Sequence, residues 1–80
     1  MFINKTPEGF NNISGANIAR YRKDIGLSQK KLADKLQLIG LDIDKNAIQR
    51  IEARQRFVTD IELIYLAKAL NKTIANLLEQ

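Results

Sequence analysis

Lys45, Asn46, Gln49 and Arg50 project from the polar side of a short stretch, KNAIQRIE, whose Ile48 and Ile51 share the opposite side at helical spacing. Their chemistry is hydrogen bonding by planar or compact groups: a guanidinium can donate twice to a guanine edge, and a carboxamide can donate and accept at an adenine edge. Side chains of this kind on the outward face of a helix form a set suited to base edges in a major groove, with Lys45 equally suited to a phosphate. Gln29, at the start of the preceding helical segment, is placed to meet a phosphate oxygen, and Lys30, Arg54, Gln55 and Arg56 add donors and charge around it.

Two elements must hold those groups in place. Leu27 to Glu52 reads as two short amphipathic helices joined by a turn, a helix-turn-helix pattern with the small Ala33 at the crossing. Ser28 and Asp44 each precede a helical run and can accept from its free N–H groups. Leu32, Ala33 and Leu36 share one face of the first helix.

At these residues the sequence IARYRKDIGLSQKKLADKL followed by AIQRIE resembles the XRE or Cro-like family of DNA-binding domains, which includes lambdoid phage repressors. The resemblance runs from Ile13 to Leu78, and GLSQKKLADKL with the later IQRIE is its most specific part. It implies an all-α five-helix bundle of the lambda repressor-like type that binds double-stranded DNA and regulates transcription. It also implies that Arg22 pairs with Glu52 at the end of the reading helix; the plainer alternative leaves Arg22 a solvated charge. Two departures stand out. QLIGLD lengthens the turn between the two motif helices, and Arg54 stands where family members often carry a turn glycine, so that a positive φ there would cost about 1 kcal/mol.

The remaining elements follow from local signals. A first helix is expected from Ser14 to near Ile25, with Ile18, Tyr21 and Ile25 inward, Gly26 stopping it and Leu27 entering the core. The second should run from Gln29 to Leu38 and end at Gly40, with Leu38, Ile39 and Leu41 covering part of the core. The third spans Lys45 to Ala53. Thr59 and Glu62 have the spacing of a capping box that opens a fourth helix, whose buried side is read as Ile61, Ile64, Leu66, Ala67 and Leu70. Asn71 can close it in a left-handed conformation, and Thr73 can cap a short last helix ending near Leu78. No stretch carries a strand signal.

Residues 1 to 12 hold the only proline, a glycine and three asparagines, and read as an irregular arm ahead of a body over 13 to 80. Phe2, Ile3 and Phe10 favour an arm folded back on the bundle; the other reading is an arm that reaches DNA or a partner subunit. Lys5 as its only cation argues for the first. Phe57 is either a cap on the core or a contact surface.

Composition narrows the function classes. Eighty residues make one small domain, and 45% hydrophobic content supplies an ordinary core. With no Cys and no His, thiolate chemistry, Cys/His zinc sites and the commonest general base are absent, and Ser14 and Ser28 have no base to activate them. There is no glycine-rich phosphate loop, so neither an enzyme nor a metal or cofactor site is expected. The net charge is +4, concentrated in the motif: residues 20 to 56 hold ten Lys/Arg against five Asp/Glu. No run is long enough to span a bilayer and the first residues lack a secretion signal, so the expected setting is the cytoplasm without membrane contact. The expected partner is DNA, bound by a two-fold homodimer on a pseudo-palindromic site because a single reading helix covers too few base pairs. The second class is a protein-interaction module on the same fold, such as an antitoxin or accessory regulator with a protein partner. The carboxylates Asp42 and Asp44 beside the reading helix speak for it.

Overall fold

A computed structural model describes residues 4–80; the expectation placed on Phe2 and Ile3 lies outside the described residues. Five helices follow in order: α1 (Gly15–Asp24), α2 (Gln29–Leu38), α3 (Lys45–Glu52), α4 (Asp60–Leu70) and α5 (Ile74–Leu77). Among the described residues there is no strand.

The helix starts are fixed by the side chains immediately before them. Ser28 accepts from the Lys31 N–H at 3.0 Å, and Asp44 Oδ1 accepts from the Ala47 N–H at 2.8 Å. Thr59 and Glu62 form a reciprocal capping box at α4, as do Thr73 and Asn76 at α5. Ser14 precedes α1, but its hydroxyl caps nothing. The first free N–H, that of Gly15, instead donates to Asn12 Oδ1 at 2.8 Å.

The four longer helices share one kind of exit. After α1 the N–H groups of Gly26 and Leu27 reach back to the carbonyls of Lys23 and Arg22, and Gly40 and Leu41 repeat the pattern on Gln37 and Leu36 after α2. Arg54 and Gln55 do the same on Ile51 and Arg50, and Asn71 and Lys72 on Lys68 and Ala67. The motif needs a left-handed residue, filled by Gly26, Gly40, Arg54 at φ 60° and Asn71 at φ 54°. Leu27 and Leu41, the residues just past the glycines, turn inward and pack against the core.

The core is one cluster built from Ile18 and Tyr21 of α1, Leu32, Ala33 and Leu36 of α2, Ala47, Ile48 and Ile51 of α3, Leu66, Ala67, Ala69 and Leu70 of α4, and Leu77 of α5. Ile43 joins it from the α2–α3 connection. Three expectations are corrected here. Ile25 is 49% exposed, because it precedes the left-handed Gly26 and Leu27 takes the inward place. Leu38, 87% exposed, and Ile39 do not cover the core; Leu41 and Ile43 do, since only they follow the reversal at Gly40. Ile61 and Ile64 are 62% and 44% exposed, because α4 buries the face that carries Leu66, Ala67 and Leu70 with Leu63 beside it.

Gly15 brings α1 against the end of α3. A Cβ there would fall inside the contact distance of the Ile51 carbonyl oxygen, with Asn12 Oδ1 at 2.8 Å and Arg54 Cγ at 2.9 Å. Glycine to alanine in a helix ordinarily stabilises by roughly 0.5–1 kcal/mol. Gly15→Ala is expected to do the opposite, destabilising by about 1–3 kcal/mol through overpacking against a carbonyl that cannot swing aside. Chemical denaturation measures this, and a variant more stable than the parent would mean that α1 backs away from α3 freely.

Candidate nucleic-acid interface

Helix α3 divides cleanly. Ala47, Ile48 and Ile51 are buried, whereas Lys45, Asn46, Gln49 and Arg50 are all exposed. Among the described residues, none of those four side chains takes part in an internal hydrogen bond or ion pair. A full set of donors and acceptors is therefore held on a fixed helix and left unused by the fold.

The pair Arg22 and Glu52 locks that helix from behind. Arg22 donates from Nε to Glu52 Oε2 at 2.6 Å and from a terminal nitrogen to Oε1 at 2.9 Å, a bidentate clamp with side chains 9% and 8% exposed. A further Arg22 nitrogen reaches the Leu27 carbonyl at 2.8 Å. The Glu52 hydrogen bond raises the Arg22 pKa further above its ordinary value against the opposing effect of burial, with the carboxylate charge adding to it. Gln29 Nε2 donates to Glu52 Oε1 at 3.0 Å, so the ends of α1 and α3 and the start of α2 meet on one carboxylate. Gln29 is thus fixed by one of its two amide N–H groups, and the other is uncommitted.

The charged candidates divide. Lys30 pairs with Asp34 at 3.1 Å one turn along α2, both well exposed, a contact too weak and too solvated to immobilise it. Gln55 is exposed just past α3. Arg54 runs back across Gly15 to lie 3.6 Å over the centre of the Phe10 ring. Arg56, expected on a phosphate, closes instead on Glu62 through two bonds of 2.9 and 2.8 Å and also donates to the Phe57 carbonyl at 3.0 Å. The Glu62 hydrogen bond raises the Arg56 pKa against burial, with the charges of Glu62 and Asp44 contributing. Asp44 itself is occupied as the α3 cap, which answers part of the repulsion that a carboxylate beside a reading helix would cause.

Several positioning residues are invisible to a motif reading. Gln37 Nε2 donates to the Ile43 carbonyl at 2.8 Å and pins the lengthened turn one residue before the Asp44 cap. Asn12 Nδ2 reaches the carbonyls of Ile51 at 3.1 Å and Arg56 at 2.7 Å. The only sequence signal for Asn12 was its place three residues ahead of a helical N–H, the spacing of a cap.

The sequence matches the family described as Helix-turn-helix over residues 18–77. The chain belongs to the helix-turn-helix family. Among solved structures, this helix-turn-helix chain is similar to the restriction-modification controller protein C.AhdI from Aeromonas hydrophila, with 28% identity and a TM-score of 0.70 over 80% of this chain and 86% of that one. It also shares its fold with the hypothetical transcription factor NHTF from Neisseria, at 19% identity and a TM-score of 0.75, covering 90% of this chain and 77% of that one. No curated protein matches the sequence. Its function is DNA binding in transcriptional regulation.

Two expectations follow from the ion pairs. Arg22→Met or Glu52→Met alone leaves a buried charge without its partner and should cost about 3 kcal/mol, while the double variant should recover much of that loss. A double-mutant cycle from denaturant melts measures the coupling, and a coupling near zero would return both residues to the solvated surface. Glu62 has its pKa lowered, chiefly by the Arg56 hydrogen bond and further by the Thr59 contacts, against burial. Because the folded value lies below the unfolded one, its contribution is complete above the ordinary glutamate range and is lost as pH falls through the depressed value. Glu62→Gln should therefore be less stable than the parent by about 1 kcal/mol at neutral pH, with the gap closing in acid. A gap that does not change with pH would rule out ionisation of Glu62 as its source.

Proposed function

We propose that this regulator reads a specific DNA sequence in the major groove through Lys45, Asn46, Gln49 and Arg50, with Gln29, Lys30 and Gln55 on the flanking phosphates. The observation that carries this reading is the unused polar face of α3, rigidly mounted on the Arg22–Glu52 clamp and free of internal partners among the described residues. Arg50 is suited to guanine O6 and N7, and Asn46 to adenine N6 and N7. Arg54, stacked on Phe10 with its N–H edges unbonded among the described residues, stays a candidate phosphate contact, whereas Arg56 is given a lesser part because Glu62 already pairs with its guanidinium.

A single reading helix addresses only a few base pairs, so the expected form on DNA is a two-fold dimer on half-sites about one helical turn apart. Exposed Phe57, Ile61, Ile64, Ile74 and Leu78 give α4, α5 and the loop before α4 an apolar surface for such a pairing. The same surface would serve a protein partner, which is the second reading. Among the described residues no helix is long and apolar enough to cross a bilayer.

Selection of bound duplexes from a random pool supplies the preferred site, and titrations then test the assignment. Arg50→Ala should lose about 1–3 kcal/mol on the preferred duplex and discriminate less at one position, with little change on scrambled DNA. Equal loss on both would place Arg50 on the backbone only. In the same series, shifting one half-site by about five base pairs turns it to the far side of the duplex and should remove cooperativity. Indifference to that shift would favour the protein-partner reading.

A further inference from the structure

Four carbonyl groups at and just beyond the end of α3 accept hydrogen bonds from the arm. Asn12 Nδ2 takes those of Ile51 and Arg56, the Asn11 N–H takes that of Arg54 at 3.0 Å, and Asn11 Nδ2 takes that of Gln55 at 2.6 Å. The Phe10 ring lies under the Arg54 guanidinium, and the N–H of Phe10 donates to Thr6 Oγ1 at 3.0 Å, folding the arm on itself. All of these arm residues precede the span 18–77 that matches the family.

This arrangement explains an otherwise costly conformation. Arg54 holds the left-handed position that ends α3, where a residue with a Cβ is strained, and such strain persists when the surroundings over-determine it. The neighbouring contacts supply that constraint: a carbonyl bond on Arg54 itself, bonds on the carbonyls of Ile51, Gln55 and Arg56 around it, and a ring beneath its side chain. They also set where α3 stops and how Gln55 leaves it.

We infer that Asn11 and Asn12 are positioning residues for DNA recognition: they clamp the exit of α3, so that the reading helix and Gln55 are presented in a fixed pose. The inference rests on the DNA-reading assignment of α3 and Gln55. Without the clamp, the turn through Arg54 is held only by its own two backbone bonds, and the pose must be ordered at the moment of binding, which weakens affinity without removing any contact to DNA.

The test separates pose from fold. Asn12→Asp keeps the oxygen that accepts from Gly15 but turns the two donor contacts into an oxygen, charged when ionised, facing the Ile51 and Arg56 carbonyls, so Asn11→Ala, which adds no charge, is measured beside it. Asn12→Asp should bind the preferred duplex about tenfold more weakly at a temperature where circular dichroism shows it fully folded. Amide hydrogen exchange should accelerate at Arg54 and Gln55, whose N–H groups form the helix exit, while Leu36 and Leu66 stay protected. Unchanged affinity in the folded variant, or weakened affinity with exchange at Arg54 and Gln55 unaltered, would overturn the inference. Should Asn12→Asp not fold, Asn11→Ala decides, since it removes one peripheral bond. A loss of about threefold is expected, disappearing in a Gln55→Ala background. No loss, or a loss that persists undiminished in that background, would overturn the inference. A parent protein that binds no duplex at all would instead strike the DNA-reading assignment and take the inference with it, before any variant is made.

Discussion

One carboxylate governs the geometry of this protein. Glu52 sits at the last position of α3 and takes hydrogen bonds from Arg22 at the end of α1 and Gln29 at the start of α2. Three helices that could otherwise slide along an apolar core are thereby brought to one point. Apolar packing is largely non-directional, and the aliphatic cluster around Ile18, Leu36 and Ile48 would tolerate small rotations of α3. A bidentate guanidinium–carboxylate pair does not, since its planar fork fixes distance and angle together. The stabilisation from such a buried pair is modest after desolvation, so its value lies in the direction it imposes.

That constraint has a counterpart at each end of the reading helix. At its start, the Asp44 cap and the bond from Gln37 to Ile43 fix where the first turn begins. At its end, the arm asparagines and the left-handed Arg54 fix where it stops. Between those points only Ala47, Ile48 and Ile51 are spent on the core, which leaves the opposite face entirely to the solvent side. Function here depends on what the fold declines to use.

Much of this was legible in the sequence because it is local chemistry. Ser28, Asp44 and Thr59 mark helix starts through bonds to residues three positions on, and Gly26 and Gly40 mark exits through backbone freedom. The Arg22 and Glu52 pairing was legible only through family resemblance, since nothing in either residue names the other across thirty positions. The buried face of α4 was not legible, because DIELIYLAKAL is apolar on several sides and only packing against α1 and α2 selects Leu66, Ala67 and Leu70 over Ile61 and Ile64. The internal partner of Arg56 was hidden for a related reason: nothing in the sequence beside the reading helix shows that Glu62, on the next helix, pairs with it. Asn11 and Asn12 escaped because their partners lie about forty residues away in sequence.

The lengthened connection between α2 and α3 is assembled from parts found elsewhere in the same chain. It opens with the reversal at Gly40 followed by an inward leucine, as α1 does at Gly26 and Leu27, and it closes with an acidic cap. The crossing of the two helices is held by their buried faces and by the bond from Gln37 to the Ile43 carbonyl, so the number of residues between those anchors carries little of the geometry. The connection behaves as a spacer with fixed fittings at both ends. A residue added between Gly40 and Ile43 would cost little in loop closure, and Leu38, exposed at the last position of α2, takes no part in holding the core.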